Sequence, residues 1–417
     1  MFTRCLKYLR QFIITRRVSN KEIGNPSSNN LFDNKSYIKF TRLKALRMND
    51  NIRGVPGNKF SRNYKLAREV SEAQTNSTKV AGSSSIDNNN NHHNTSLSHE
   101  EKSPYAKFRG SKALYVTDFA SLAWCEMQQH YALMVGGKKE TKAMKAGSKI
   151  HNELELQVHD IITIPTKTKE DLWGIKLYNV IVGLESLDFN HKTRELPIFG
   201  FVSDLFVFGI IDQVGMKKRE GEWTISDTKT RVRPSLPDQK KILPSVKYQL
   251  MLYKKLFDTL IQGAIDDEII YQRLCLNPDL EFSSELANII KRFRNFDNGE
   301  EKGFQPNLRN LMKIVVNNFG KFRKSSNTLE VNYKYQKDGS DIGSLYFEYD
   351  ENQITNYLTK SAKYWKGDRT PDGVPIEEAW KCQICEFADD CEWRLNKIKE
   401  LSQTKRALAE ITNAGRK

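Results

Sequence analysis

At 417 residues the chain can bury one large core or two smaller ones, and no stretch approaches the roughly 20 apolar residues of a membrane-spanning helix. A formal charge of +15 calls for an anionic partner, nucleic acid ahead of an anionic membrane surface. Six cysteines in this length do not make a secreted disulfide scaffold, and their clustering points to metal instead.

Residues 1–21 contain Arg4, Lys7, Arg10, Arg16, Arg17 and Lys21 and no acid; the first carboxylate is Glu22. Phe2, Leu6, Leu9 and Ile13 recur at helical spacing opposite this basic stripe, the composition of a mitochondrial transit peptide. Residues 22–110 are rich in Asn, Ser and Lys, with an Asn run at 88–91 followed by His92 and His93, and read as linker or disorder. Within them, 37–46 is the part able to pack on the domain.

The ordered domain is expected over 111–395. Thr117 or Asp118 should cap one helix through FASLAWCEMQQHYAL, with Cys125 inside it and Gly136-Gly137 ending it. A second helix, TKAMKAGSKIHNELELQVH, sets Gly147, His151 and Glu155 four apart on one face. Residues 170–200 read as strand and loop leading to a β-hairpin over 200–231, whose polar turn GMKKREGE cannot belong to a core. Asp212 should close the first strand. Asp227 and Lys229 alternate onto one face of the second, where Asp212 can meet them. Two carboxylates and an ammonium on one sheet face suit a divalent metal beside a phosphate, although such a trio is more often a solvated surface pair.

RVRPSLPDQKKILP is a basic, proline-broken loop, and Ser245 should cap the amphipathic helix that carries Gln249 and Tyr253. EIIYQRLCLN (268–277) reads as a strand, with Cys275 buried and inert. Helical patterns over 283–325 carry Lys291-Arg292-Phe293-Arg294 and Lys321-Phe322-Arg323-Lys324. This interleaving of base and aromatic suits a single-stranded DNA path or a solvated helix face equally. A second hairpin, LEVNYKYQ then SLYFEYD, and a helix through 357–365 follow. Cys382, Cys385 and Cys391 then give C-x₂-C-x₅-C, one thiol short of the four that zinc or an iron–sulfur cluster takes. No histidine follows His191, so Cys125 is the natural fourth ligand; spacing leaves zinc and iron–sulfur both open. Residues 396–417 form a basic C-terminal helix.

Gly-x₃-His, Asp followed by Asp-x-Lys, Gln-x₃-Tyr and the terminal C-x₂-C-x₅-C, in this order after an early cysteine, resemble the RecB-like, PD-(D/E)XK nucleases with a four-cysteine iron–sulfur cluster. AWCEMQ, MKAGSKIHNELELQVHD, DTKTR, YQLMLYKKL and KCQICEFADDCEWR are similar, within that group, to the mitochondrial exonuclease V family of yeasts, over about 110–395. The resemblance implies an α/β, restriction-endonuclease-like core: a mixed central sheet flanked by helices, its two ends joined by an iron–sulfur staple. It implies metal ligands His151, Asp212, Asp227 and the carbonyl of Thr228, with Mg²⁺ or Mn²⁺ as the ion. Lys229 would be the catalytic lysine, with Gln249 and Tyr253 contacting DNA or steadying the site, and Glu155 is carried over beside them. Cys125, Cys382, Cys385 and Cys391 would hold a [4Fe–4S] cluster. The implied activity is a single-stranded DNA exonuclease that prefers 5′ ends and releases short oligonucleotides in the mitochondrial matrix. It would act as a monomer without membrane, a single-strand-binding protein being a further partner. The rival readings are a flap-trimming or recombination nuclease also present in the nucleus, and a non-catalytic DNA-binding module. An acid pair that repels phosphate argues against the second.

Overall fold

The computed structural model describes residues 35–41, 103–138, 140–217, 221–239, 242–298 and 304–414. Residues 1–21, read above as a transit peptide, and most of 22–110 lie outside the described residues.

A two-residue turn starts the sheet. Ser203 and Asp204 both take left-handed backbone (φ 47° and 68°), as a tight hairpin matched to strand twist requires. The turn joins β4 (Lys192–Val202) to β5 (Leu205–Lys217), which pair antiparallel from Val202↔Leu205 to Lys192↔Gly215. β5 then turns into β6 (Glu222–Arg231), paired from Lys217↔Glu222 only as far as Gln213↔Ser226. Beyond that point β5 and β6 part. The free edge of β5 is taken at Val207 and Phe208 by the short parallel β2 (Leu114–Tyr115). β6 runs on to Arg231, parallel to β7 (Thr328–Tyr335), and β7 is antiparallel to β8 (Asp341–Glu348). The result is a six-stranded mixed sheet in which β2 and β6 share one edge of β5, leaving a gap where Asp212 stands. Separately, β1 (Lys35–Thr41) pairs antiparallel with β3 (His159–Pro165).

Helices cover the sheet. α1 (Pro104–Phe108), α2 (Val116–Leu122), α3 (Glu126–Met134) and α4 (Lys142–Leu156) precede β3. α5 (Lys169–Asn190) and α6 (Pro244–Ile261) both pack on β4 and meet one core of Leu177, Ile181, Leu187, Phe199, Phe206, Leu250 and Phe257. α7 (Asp267–Arg273), α8 (Ser284–Asn298), α9 (Leu308–Phe319) and α10 (Glu351–Lys366) complete the layers. A 3₁₀ segment, Ile376–Ile384, leads to α11 (Glu392–Ala414), which runs unbroken through position 396. Among the described residues no helix is long and apolar enough to cross a membrane.

Several local readings change. Residues 170–190, read as strand and loop, are α5. The helix buries residues around most of its circumference and so shows no amphipathic period; its signal was the Thr168–Asp171 capping box. EIIYQRLCLN is mostly α7, because the Asp266 side chain accepts from the N–H groups of Glu268 and Ile269, and Cys275 after it is exposed. FASLAWCEMQQHYAL is two helices, α2 and α3, broken at Cys125, and Asp118 reaches back to the Tyr115 N–H from inside α2. α6 starts one residue before Ser245, with Pro244 in its first turn and Leu243 at the cap. Residues 200–202 end β4, and Asp212 lies inside β5 rather than at its end.

Candidate active site

The parting of β5 and β6 exposes backbone and side chains that a continuous ladder would cover. Asp212 fills the gap: its Oδ2 accepts from the Thr228 N–H at 2.8 Å, tying the diverging strands together. α4 crosses this point closely. A Cβ on Gly147 would come within 3.1 Å of Thr230 Oγ1, so glycine lets the helix approach β6 and brings His151, one turn on, over the gap. His151 Nε2 lies 2.9 Å from the Thr228 carbonyl oxygen. A carbonyl only accepts, so Nε2 carries the proton in the neutral ring and the Nδ1 lone pair faces Asp212 Oδ2 at 3.6 Å. Two acceptors aimed at each other across that distance suit a cation between them.

Glu195 joins them from β4. Ligand atoms of His151, Glu195 and Asp212 all lie within 4.8 Å of one another, the one such group of His, Cys, Asp or Glu among the described residues. Sequence reading missed Glu195, since a glutamate between Arg194 and Leu196 carries no motif. The structural signals are its left-handed backbone (φ 49°) and its place opposite Asp212. Asp227, expected as a ligand, stands beside this trio and is 1 % exposed. Its Oδ1 accepts from Lys229 Nζ at 3.1 Å; its Oδ2 lies 2.8 Å from that ammonium, off the hydrogen-bond direction and with no other partner. Burial, then the Asp212 charge, push the Asp227 carboxyl up to about 6 against the pull of Lys229. Burial disfavours the Lys229 ammonium, but Asp227 and Asp212 outweigh it and hold its pKa above the ordinary lysine value.

Behind the pair, Lys229 Nζ lies 3.5 Å from Gln249 Oε1, and Gln249 Nε2 donates to the Tyr253 hydroxyl at 3.2 Å. Burial raises the Tyr253 phenol well above its ordinary value, so it stays neutral. Gly209 leaves room for the Tyr253 ring, which a Cβ there would meet at 2.8 Å. The structure thus brings Asp212, Asp227, Thr228, Lys229, His151, Gln249 and Tyr253 to one place. Glu155, buried a turn further along α4, is not in the ligand trio. Phe322, read with its basic neighbours as part of a DNA path or a solvated helix face, does neither: it packs edge-on against Trp223 in the core at 5.4 Å. The side chains of Phe293 and Arg294 lie outside the described residues.

The cysteines form a second centre. Cys125 is the N-cap of α3, its Sγ accepting from the Gln128 N–H at 3.5 Å. The Cys125 thiol is pushed up by burial first and then by Cys385 and Cys391, and that of Cys382 by burial, Cys391 and Cys385, so both feel the same two thiols. The chain ends are clasped around them. Arg369 grips Glu126 through both oxygens (2.6 and 2.8 Å), Met127 N–H donates to the Asp372 carbonyl, and Lys381 reaches the Trp124 carbonyl at 3.1 Å. Trp124 and Trp380 meet edge-to-face at 5.6 Å.

The family profile described as "Exonuclease V - a 5' deoxyribonuclease" matches residues 103–224 and 217–394. "Exonuclease V" of Danio rerio is 31 % identical over 309 residues, 73 % of this chain and 75 % of that protein. "Exonuclease V, mitochondrial" of Debaryomyces hansenii is 20 % identical over 67 % of this chain and 74 % of its own. The Kluyveromyces lactis protein of the same name is 21 % identical over 73 % and 80 %. Among solved structures, that of SSO0001 aligns at a TM-score of 0.31 and 12 % identity over 68 % of this chain and 87 % of its own, a likeness too slight to argue from.

Proposed function

The chain belongs to the exonuclease V family of 5′ deoxyribonucleases, and on that premise we propose that the gap between β5 and β6 is a metal-dependent, PD-(D/E)XK-type active site that hydrolyses single-stranded DNA from the 5′ end. The observation that carries the reading is the trio His151, Glu195 and Asp212 beside the buried Asp227–Lys229 pair. One nitrogen and carboxylate oxygens suit Mg²⁺, and the imidazole makes Mn²⁺ a natural substitute. His151, Glu195 and Asp212 would hold the ion, with Asp227 and the Thr228 carbonyl at its edge. Bound there, the metal would supply the charge that polarises the scissile phosphate and acidifies a water.

The chain's own residues do the rest. Lys229 is protonated at neutral pH, so it serves as a fixed positive charge beside the reacting phosphate rather than as a base. Gln249 holds that ammonium from behind and is itself oriented by Tyr253. Asp227, at about 6, is ionised at the alkaline pH of a mitochondrial matrix. Asp227→Asn and Asp212→Asn test the site: both should lose cleavage and keep DNA binding, whereas a cleaving Asp212→Asn protein would remove the reading.

We read the four cysteines as the ligands of a [4Fe–4S] cluster, one thiolate to each iron, as the family resemblance implies. No three of their sulfurs lie within 4.8 Å of one another. A tetrahedral zinc, with Zn–S of about 2.3 Å, would draw its sulfurs to about 3.8 Å. A cubane presents its thiolates from four separate irons and spreads them wider. Such a staple would link residues more than 250 apart and stabilise the domain by closing that loop. We assign the restriction-endonuclease-like core and the cluster to 111–395, and a transit peptide for the matrix to 1–21; the names of the yeast relatives say mitochondrial. The protein would work as a monomer on single-stranded DNA, with a single-strand-binding protein as a further partner.

A further inference from the structure

Arg194 is 8 % exposed on β4, opposite Gln213 and next to Glu195. Among the described residues its side chain makes no hydrogen bond and no ion pair, though the charges of Asp212, Glu195 and Asp341 act on it. A guanidinium carries five donors and no acceptor, so its partners are anions and carbonyl oxygens. None of its nitrogens is among the sealed polar atoms that lack a partner, so the open part of the side chain is its charged end. Asp341 is already engaged by Lys334 at 2.7 Å. Lys192, two residues back on β4, has Arg194, Lys334, Asp341 and Glu330 as its charged neighbours, but not Asp212. Arg194, beside Glu195 in the strand and paired with Gln213 next to Asp212, is the member of this cationic group on which the trio's two carboxylates act.

We propose that Arg194 is a substrate-binding residue whose planar fork takes the non-bridging oxygens of a DNA backbone phosphate flanking the one held at His151, Glu195 and Asp212. The proposal rests on the active-site reading above. Metal at the trio would neutralise Asp212 and Glu195, freeing Arg194 of their attraction. A phosphate then supplies the acceptors that the protein does not, and a fork matches phosphate bidentately where a lysine would not.

The test is equilibrium binding of a labelled single strand to the full-length protein carrying Asp227→Asn, which should bind without cleaving, in Mg²⁺ over a range of salt, beside thermal unfolding. Arg194→Met should weaken binding about tenfold or more, the worth of a charge-assisted contact. It should also lower the slope of log K against log salt by about 0.7, the loss of one single-strand phosphate contact, at an unchanged Tm. An unchanged slope with a lowered Tm would make Arg194 a structural residue and overturn the proposal. Should the methionine variant fail to fold, Arg194→Lys decides: slope kept with weaker binding supports the fork, and wild-type affinity contradicts it. Asp212→Asn in parallel separates the two levels, because cleavage by that variant would fail the active-site reading whatever Arg194 does.

Discussion

Glu195 and Asp212 face each other across the one interruption of the β4–β5 ladder, which pairs Arg194 with Gln213 and resumes at Leu196 with Ile211. Glu195 holds a left-handed backbone at φ 49°, a conformation that costs a non-glycine residue on the order of 1–3 kcal/mol and clusters at functional sites. Glu195→Gly should relieve that strain and leave Tm equal or higher, while Mn²⁺ affinity falls about 10–100-fold or more and cleavage is lost. Calorimetric metal titration of the variant checks this; unchanged Mn²⁺ binding would exclude Glu195 as a ligand.

The Asp227 carboxyl gives the metal-free protein a pH signature. Its folded value of about 6 lies above the ordinary aspartate value, so folding takes up a proton between about pH 4 and 6. From this group, stability is present at low pH and is lost as pH rises through 6. Metal binding must expel that proton, so Mg²⁺ affinity should rise with pH up to about 6 and flatten above it. Titrations at pH 5.5 in two buffers of different ionisation enthalpy would show the released proton; equal heats would contradict the assignment.

Gly147 sets the height of α4 above β6. A Cβ at 3.1 Å from Thr230 Oγ1 asks for a shift of a few tenths of an ångström, which Gly147→Ala should survive with reduced activity. Gly147→Val, with two further carbons, should lift His151 from the Thr228 carbonyl and abolish cleavage while leaving most of the fold intact. Thr230→Ala, which removes that oxygen, combined with Gly147→Ala should regain part of the loss, measured as kcat, if the contact is the cause.

The clasp predicts a coupling between an ion pair and a cofactor. Glu126→Ala leaves Arg369 without its bidentate partner in a largely buried position, a loss on the order of 3 kcal/mol. Anaerobically purified wild type should be brown, Cys385→Ser colourless, and Glu126→Ala brown but quicker to bleach in air. A colourless wild type containing zinc would remove the cluster.

The sequence revealed the chemistry more readily than the architecture around it. Asp212, Asp227 and Lys229 stood out because acids inside apolar strands are conspicuous, and the three late cysteines because thiols seldom cluster by chance. α5 was hidden: a helix buried around most of its surface loses the period that marks a helix, and only the Thr168–Asp171 box remained. Glu195 and Arg194 were invisible for a different reason. A charged pair in KTRELP looks like an exposed strand, and nothing local says that Asp212 sits opposite or that Arg194 is mostly buried. The break at Cys125 likewise depends on the distant 369–392 segment that clasps it.

The most direct test of the central claim is digestion of a linear single strand labelled at its 5′ end, with Mg²⁺ or EDTA, beside a circular single strand and the Asp227→Asn protein. The site described here predicts Mg²⁺-dependent release of short 5′-labelled fragments, intact circles, and no cleavage by the variant. Cut circles, metal-independent cleavage, or full activity of Asp227→Asn would contradict it.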